Sequence, residues 1–261
     1  MARIALGLEY NGAAFCGWQS QPGGGAVQDA VEAALAQIAG EKVTVTAAGR
    51  TDAGVHALAQ VAHFDCGAER PQSAWVRGVN ALLPPNVAVL WAQTVAEDFH
   101  ARFSAVERCY SYLLLNSAVR PALFYSQLGW FHQPLDVGAM RDSAKILLGK
   151  HDFSAFRAAE CRARTPEKEL HKIEIVRRQN LILFEFYADA FLHHMVRNIV
   201  GCLVYVGSGR CPAQWLGEVL ESRDRSRAAP TFSAAGLYLS GVRYHPKWRI
   251  ADFNRNMLLF P

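Results

Sequence analysis

The stretch that most constrains this chain is Gly49-Arg50-Thr51-Asp52-Ala53-Gly54-Val55-His56-Ala57. Residues 42–46, Lys-Val-Thr-Val-Thr, run into it, and residues 60–64, Gln-Val-Ala-His-Phe, run out of it. Both flanks read as strands from their β-branched and apolar density. Between them two glycines bracket one acid, Asp52, placed two residues after a permanent cation, Arg50. A plain turn explains Thr-Asp-Ala-Gly on its own, because Asp bonds to its own backbone and Gly accepts positive φ. Chemistry is the sharper reading, since loops on rigid scaffolds carry a large share of catalytic groups.

The remainder of the chain bounds what that loop serves. At 261 residues it holds one large domain or two small ones. Hydrophobic residues at 51% against 19% charged exclude a disordered chain. No apolar run approaches the roughly 20 residues that span a bilayer, so no membrane association is expected. Residues 1–10 carry an acid too early for a leader and read as a first strand, which points to the cytoplasm. The cysteines at 16, 66, 109, 161, 202 and 211 form no C-x-x-C pair and are expected to be reduced. There is no H-E-x-x-H, and on a helix the adjacent His193 and His194 diverge by about 100°, so no metal is expected. Net charge is +4, and 21 of the 27 basic residues are Arg, whose fork suits phosphates and bases. Coding bias gives the same excess.

The elements follow from periodicity and punctuation. Strands are predicted over 3–10, 42–46, 60–64, 86–91, 109–115, 172–176, 181–186 and 236–242. Helices are predicted from Val27 to Ile38 ending at Gly40, from Ser73 to Leu83, from Asp136 to Leu148, over 191–206 and over 212–220. The order strand, helix, strand, strand, helix, strand recurs roughly twice. It gives an α+β class with a division near 105: an N-terminal half, 1–105, carrying the Asp52 loop, and a C-terminal half, 106–261.

Two further residues stand out. Arg197 interrupts an otherwise apolar helix and needs an anionic partner: a core acid such as Glu185, a catalytic carboxylate or an RNA phosphate. Tyr110 alternates with Tyr112 on a strand after Arg108. Such a tyrosine either packs in the core with its hydroxyl at the rim or stacks on a splayed base.

Several segments together resemble the family of tRNA pseudouridine synthase A, the TruA type. They are Tyr10-Asn11-Gly12, Phe15-Cys16-Gly17-Trp18-Gln19, Val27-Gln28, the Gly49–Ala57 loop, Phe99-His100-Ala101-Arg102-Phe103-Ser104-Ala105, Arg108 with Tyr110, Phe191–Asn198, Ala229-Pro230-Thr231 and Gly236–Leu239. The resemblance implies two α/β-plait-like halves with a joined antiparallel sheet, a central active-site cleft and a homodimer. It implies isomerisation of uridine to pseudouridine in the anticodon stem-loop of tRNA, at positions 38–40, with no cofactor and no metal. By position Asp52 matches the family's catalytic aspartate, and Tyr110 its stacking tyrosine. Arg50 matches the arginine of the same loop, Arg197 the basic partner of the aspartate, and Leu237 an apolar residue lining the site. Two departures exist: Asn11 where Asp is usual, and Phe232 where a small residue is usual.

This chemistry suits these residues. The C1′–N1 bond breaks, the uracil turns, and C1′ joins C5. A carboxylate serves either by attacking C1′ or by taking the C2′ proton, and a neighbouring arginine favours its charged form. Arg50 either contributes to that charge balance or grips a phosphate. A non-catalytic RNA-binding protein of the same fold is the main alternative, and an acid in a basic RNA surface argues against it. A nucleoside hydrolase is the second, and such enzymes use two acids or a metal.

Overall fold

The computed structural model describes residues 1–161, 163–250 and 253–254. The described residues divide into two units, one of Met1–Val106 with 238–250 and 253–254, the other of Glu107–Leu237. The structure is α+β, with mostly antiparallel strand pairing.

In the first unit β1 (Ala2–Tyr10) lies between β3 (His56–Cys66) and β4 (Val87–Val95), antiparallel to both. Short β2 (Thr46–Ala47) pairs with β3 at Thr46↔His63. From the end of the chain, β10 (Leu237–Tyr244) pairs with β3 in parallel at Tyr238↔His56, and β11 (Phe253–Asn254) pairs with β10. That parallel pairing differs from the division at 105 read from the sequence, which left the last strand in the second half. Helix α1 (Val27–Ala39) buries Val27, Val31, Ala34 and Leu35 at the predicted spacing. Asp29 accepts from the Ala26 N–H at 3.0 Å, and Gly40 ends the helix at φ +75°.

In this unit two predicted elements come out shorter. Residues 42–45 form no ladder, because the Val45 N–H donates to the Glu32 carboxylate at 2.8 Å instead of to a strand. The helix from Ser73 is wound wide over Ala74–Gly78, Ser73 does not cap it, and Leu82 is exposed. Trp75 is what that turn delivers to the core, edge-on to Phe64 at 5.3 Å.

In the second unit the order is β5 (Ala105–Asn116), β9 (Leu181–Ala188), β8 (Glu167–Arg178), β7 (Gly149–Asp152), with β6 (Gly129–Phe131) alongside β5. The β8–β9 hairpin turns at Gln179-Asn180 as predicted, with Gln179 at φ +52°. Asp136 caps α2 (Val137–Ala144), accepting from the Ala139 N–H at 3.0 Å. Helix α2 packs on β8 and on α3 (Met195–Gly207), and α4 (Trp215–Ser222) packs on α3. Among the described residues no helix is long and apolar enough to cross a membrane.

At the start of β1, Arg3 holds Asp65 through two bonds of 2.7 Å and also donates to the carbonyls of Glu97 and Phe99. Beside it His63 is buried, its Nδ1 accepting from the Ala101 N–H at 3.1 Å. Burial, then the neighbouring His100 and Arg3, push its pKa down to about 4. An unfolded histidine titrates near 6.5, so between these values the unfolded chain binds more protons. Stability from this group is therefore complete above about pH 6.5 and is lost as pH falls towards 4. The unfolding free energy is expected to fall as pH drops from 6.5 to 4.5, by about 1 kcal/mol per pH unit. His63→Asn should flatten that dependence. Equal slopes in denaturation curves of the two proteins would refute this role of His63.

Candidate active site

The Asp52 loop joins β2 to β3, and its backbone is held from three directions within the first unit. Gln60, a polar residue in an apolar strand, donates to the Gly49 carbonyl at 2.6 Å and accepts from the Gly49 N–H at 3.3 Å. The buried Tyr10 hydroxyl bonds the Thr51 hydroxyl at 2.8 Å, and the Trp18 N–H donates to the Thr51 carbonyl at 2.9 Å. Burial pushes the Tyr10 phenol up to about 12, so it stays neutral. The Val55 N–H donates to the Asp52 carbonyl at 3.1 Å, with Gly54 at φ +77° closing the turn. His56, the first residue of β3, accepts from the Gly12 N–H at 3.0 Å and stacks on Tyr238 at 4.6 Å.

The result is a tight backbone with a half-buried Asp52 and an exposed Arg50. Two glycines let neighbouring segments approach the loop. A Cβ on Gly12 would sit 1.9 Å from the Val55 carbonyl oxygen, and one on Gly17 (φ +98°) would sit 2.7 Å from the Thr51 carbonyl oxygen. The departure at Asn11 costs nothing visible, since its Oδ1 accepts from the Ala13 N–H at 3.0 Å as an aspartate would.

The other expected residues lie in the second unit. Tyr110 is half-buried on β5, with Phe191 edge-on at 5.0 Å. Leu237 is buried. The apolar helix expected over 191–206 starts later, at Met195, because His194 sits at φ +63° and breaks helical winding. His193 and His194 therefore lie on the lead-in turn with ring centroids 4.1 Å apart, and the helical-angle argument about them fails.

Arg197 is half-buried on the first turn of α3, and its Nε donates to the Phe232 carbonyl at 2.8 Å. The Phe232 N–H returns a bond to the Arg197 carbonyl at 3.3 Å. Glu185, the core acid considered as its partner, instead pairs across the hairpin with Glu174, and burial followed by that neighbour raises its carboxyl pKa. In the sequence Tyr10 stands only as part of the Tyr10-Asn11-Gly12 match, and Gln60 only as part of the strand after the loop; neither reads there as a support of the loop. Gln60 within Ala-Gln-Val-Ala was the one signal available.

A family model described as tRNA pseudouridine synthase matches residues 8–104, which include the Asp52 loop, and 143–245, which include Arg197 and Leu237. The chain belongs to the tRNA pseudouridine synthase family. Its relatives are more particular. The tRNA pseudouridine synthase A of Thiobacillus denitrificans is 60% identical over 252 residues, 97% of each chain. That of Dechloromonas aromatica is 57% identical over 256 residues, 98% of each, and that of Chromobacterium violaceum 60% over 243 residues, 93% of each.

Proposed function

We propose that this chain is a tRNA pseudouridine synthase of type A, converting uridine to pseudouridine in the anticodon arm of tRNA, at positions 38–40. The observation that carries the reading is the Gly49–Ala57 loop, built to hold one carboxylate, in a chain that shares nearly its full length with tRNA pseudouridine synthases A. Those relatives are enzymes by name, which leaves the non-catalytic RNA-binding reading without support.

Asp52 supplies the carboxylate, attacking C1′ or taking the proton from C2′. Arg197 supplies the opposing positive charge, with its guanidinium plane set by the Phe232 carbonyl. Tyr110, steadied by Phe191, stacks on the detached uracil, and Leu237 adds an apolar wall. Arg50, exposed beside Asp52, grips a phosphate of the displaced nucleotide. The C1′–N1 bond breaks and C1′–C5 forms. C5 then loses its proton, and N1 ends protonated. The enzyme acts in the cytoplasm as a homodimer and uses no cofactor.

The test uses unmodified tRNA tritiated at uracil C5. Tritium release, with carbodiimide-dependent primer-extension stops confined to the anticodon arm, is the expected result. No release and no stops would defeat the reading, and free uracil would favour a hydrolase.

A further inference from the structure

The segment 229–232, Ala-Pro-Thr-Phe, lies along the first turns of α3 as a strap. Its close approach depends on Gly201, where a Cβ would stand 2.6 Å from the Pro230 carbonyl oxygen. At one end Phe232 exchanges two bonds with Arg197. One residue earlier, the Thr231 hydroxyl donates to the Oδ1 of Asn198 at 2.7 Å. Asn198 is fully buried and uses its Nδ2 to hold the Phe156 carbonyl at 2.8 Å.

A third group fastens this junction. Arg225 lies on the short turn Arg225–Arg227 after α4, and that turn is capped by the Asp224 carboxylate. Its Nη2 donates both to the Asn198 Oδ1 and to the Thr231 Oγ1, each at 3.1 Å, and its Nη1 reaches the Ala228 carbonyl at 3.4 Å. One guanidinium thus ties α3, the strap and the turn that precedes it. The strap continues into Ser233, whose carbonyl accepts from the Tyr112 hydroxyl at 2.9 Å. Tyr112 and Tyr110 share a face of β5, because side chains two apart on a strand point the same way.

We infer that Arg225 is a positioning residue for pseudouridine formation, acting through the strap to fix the direction of the Arg197 guanidinium. The Nε of Arg197 follows the Phe232 carbonyl. That carbonyl follows Thr231, and Thr231 is held against Asn198 by the Arg225 guanidinium. A charged donor serving two acceptors with planar geometry is a role that lysine fills only in part. The inference rests on the role assigned to Arg197 above.

The experiment is a double-mutant cycle read in kcat and KM for pseudouridine formation on whole tRNA, at temperatures well below each variant's unfolding midpoint. Arg225→Gln is expected to lower kcat about tenfold with KM within twofold, and Arg225→Lys to recover part of the loss. In an Arg197→Lys background, Arg225→Gln is expected to cost less than twofold. Equal losses in both backgrounds would show that Arg225 acts independently of Arg197 and would overturn the inference alone. Wild-type kcat for Arg197→Lys by itself would overturn the role of Arg197 and the inference with it. If Arg225→Gln does not fold, the same cycle run with Arg225→Lys decides between these outcomes.

Discussion

Replacing Asp52 with asparagine is expected to abolish turnover, by about 10⁴-fold or more, while leaving the fold and tRNA affinity in place. The substitution keeps shape and hydrogen-bonding capacity but removes the nucleophile or base. Several of the bonds that hold the loop's backbone do not involve the carboxylate. Gly49 is held by Gln60, Thr51 by Tyr10 and Trp18, and the Asp52 carbonyl by the Val55 N–H. Gel-shift affinity for tRNA should therefore stay within about threefold of wild type, and the unfolding midpoint should barely move. Phosphate contacts dominate affinity for nucleic acid, and asparagine at this position removes none of them. Turnover within tenfold of wild type would sink the assignment. Lost turnover accompanied by lost binding would instead point to a collapsed loop.

How far the sequence anticipates this structure depends on whether a residue acts through local pattern or through distant partners. The Asp52 loop, the α1 spacing, the Asp136 cap and the Gln179-Asn180 turn are local, and each stands where the pattern puts it. The start of α3 is also local in cause, yet the apolar run of 191–206 hides it: one backbone angle at His194 overrides the periodicity. The parallel pairing of β10 with β3 brings together residues nearly two hundred positions apart, and no periodicity encodes it. The same holds for the site's supports. Tyr10 and Gln60 hold residues 41 and 11 positions away in sequence, and Arg225 meets Asn198 across 27. The motif picks out the carboxylate proposed to react, whereas only the folded chain displays what holds its loop. The shortness of the strand before the loop has the same origin. Glu32, on α1, takes the Val45 N–H that a ladder would have used.

Gly12→Ala is expected to cost about 100-fold in kcat and about 1–3 kcal/mol in stability, although Gly12 touches no substrate in the proposed mechanism. A Cβ at this position would stand 1.9 Å from the carbonyl oxygen and 2.7 Å from the carbonyl carbon of Val55. Both atoms are backbone, so no rotamer change relieves the clash, and ordinary contact lies at 3.4 Å or beyond. Either the 12–14 turn or the Val55 peptide must retreat by more than an ångström. The turn is tied to β3 by the Gly12 N–H on His56, and Val55 is tied to Asp52 by its own N–H. Displacement on either side reaches the Asp52 backbone within four residues, through His56 or through Val55, and catalytic geometry is intolerant of shifts of that size. Gly23→Ala is the matched control, since a Cβ there meets nothing within 4 Å. It should leave kcat and the unfolding midpoint unchanged. If Gly12→Ala keeps kcat within twofold of wild type while its stability falls, the Asp52 loop moves independently of the turn beneath it. The rigid placement argued for the carboxylate would then be wrong. If both quantities fall and the Gly23 control is silent, the close approach of Gly12 to Val55 is part of how this chain aims its carboxylate.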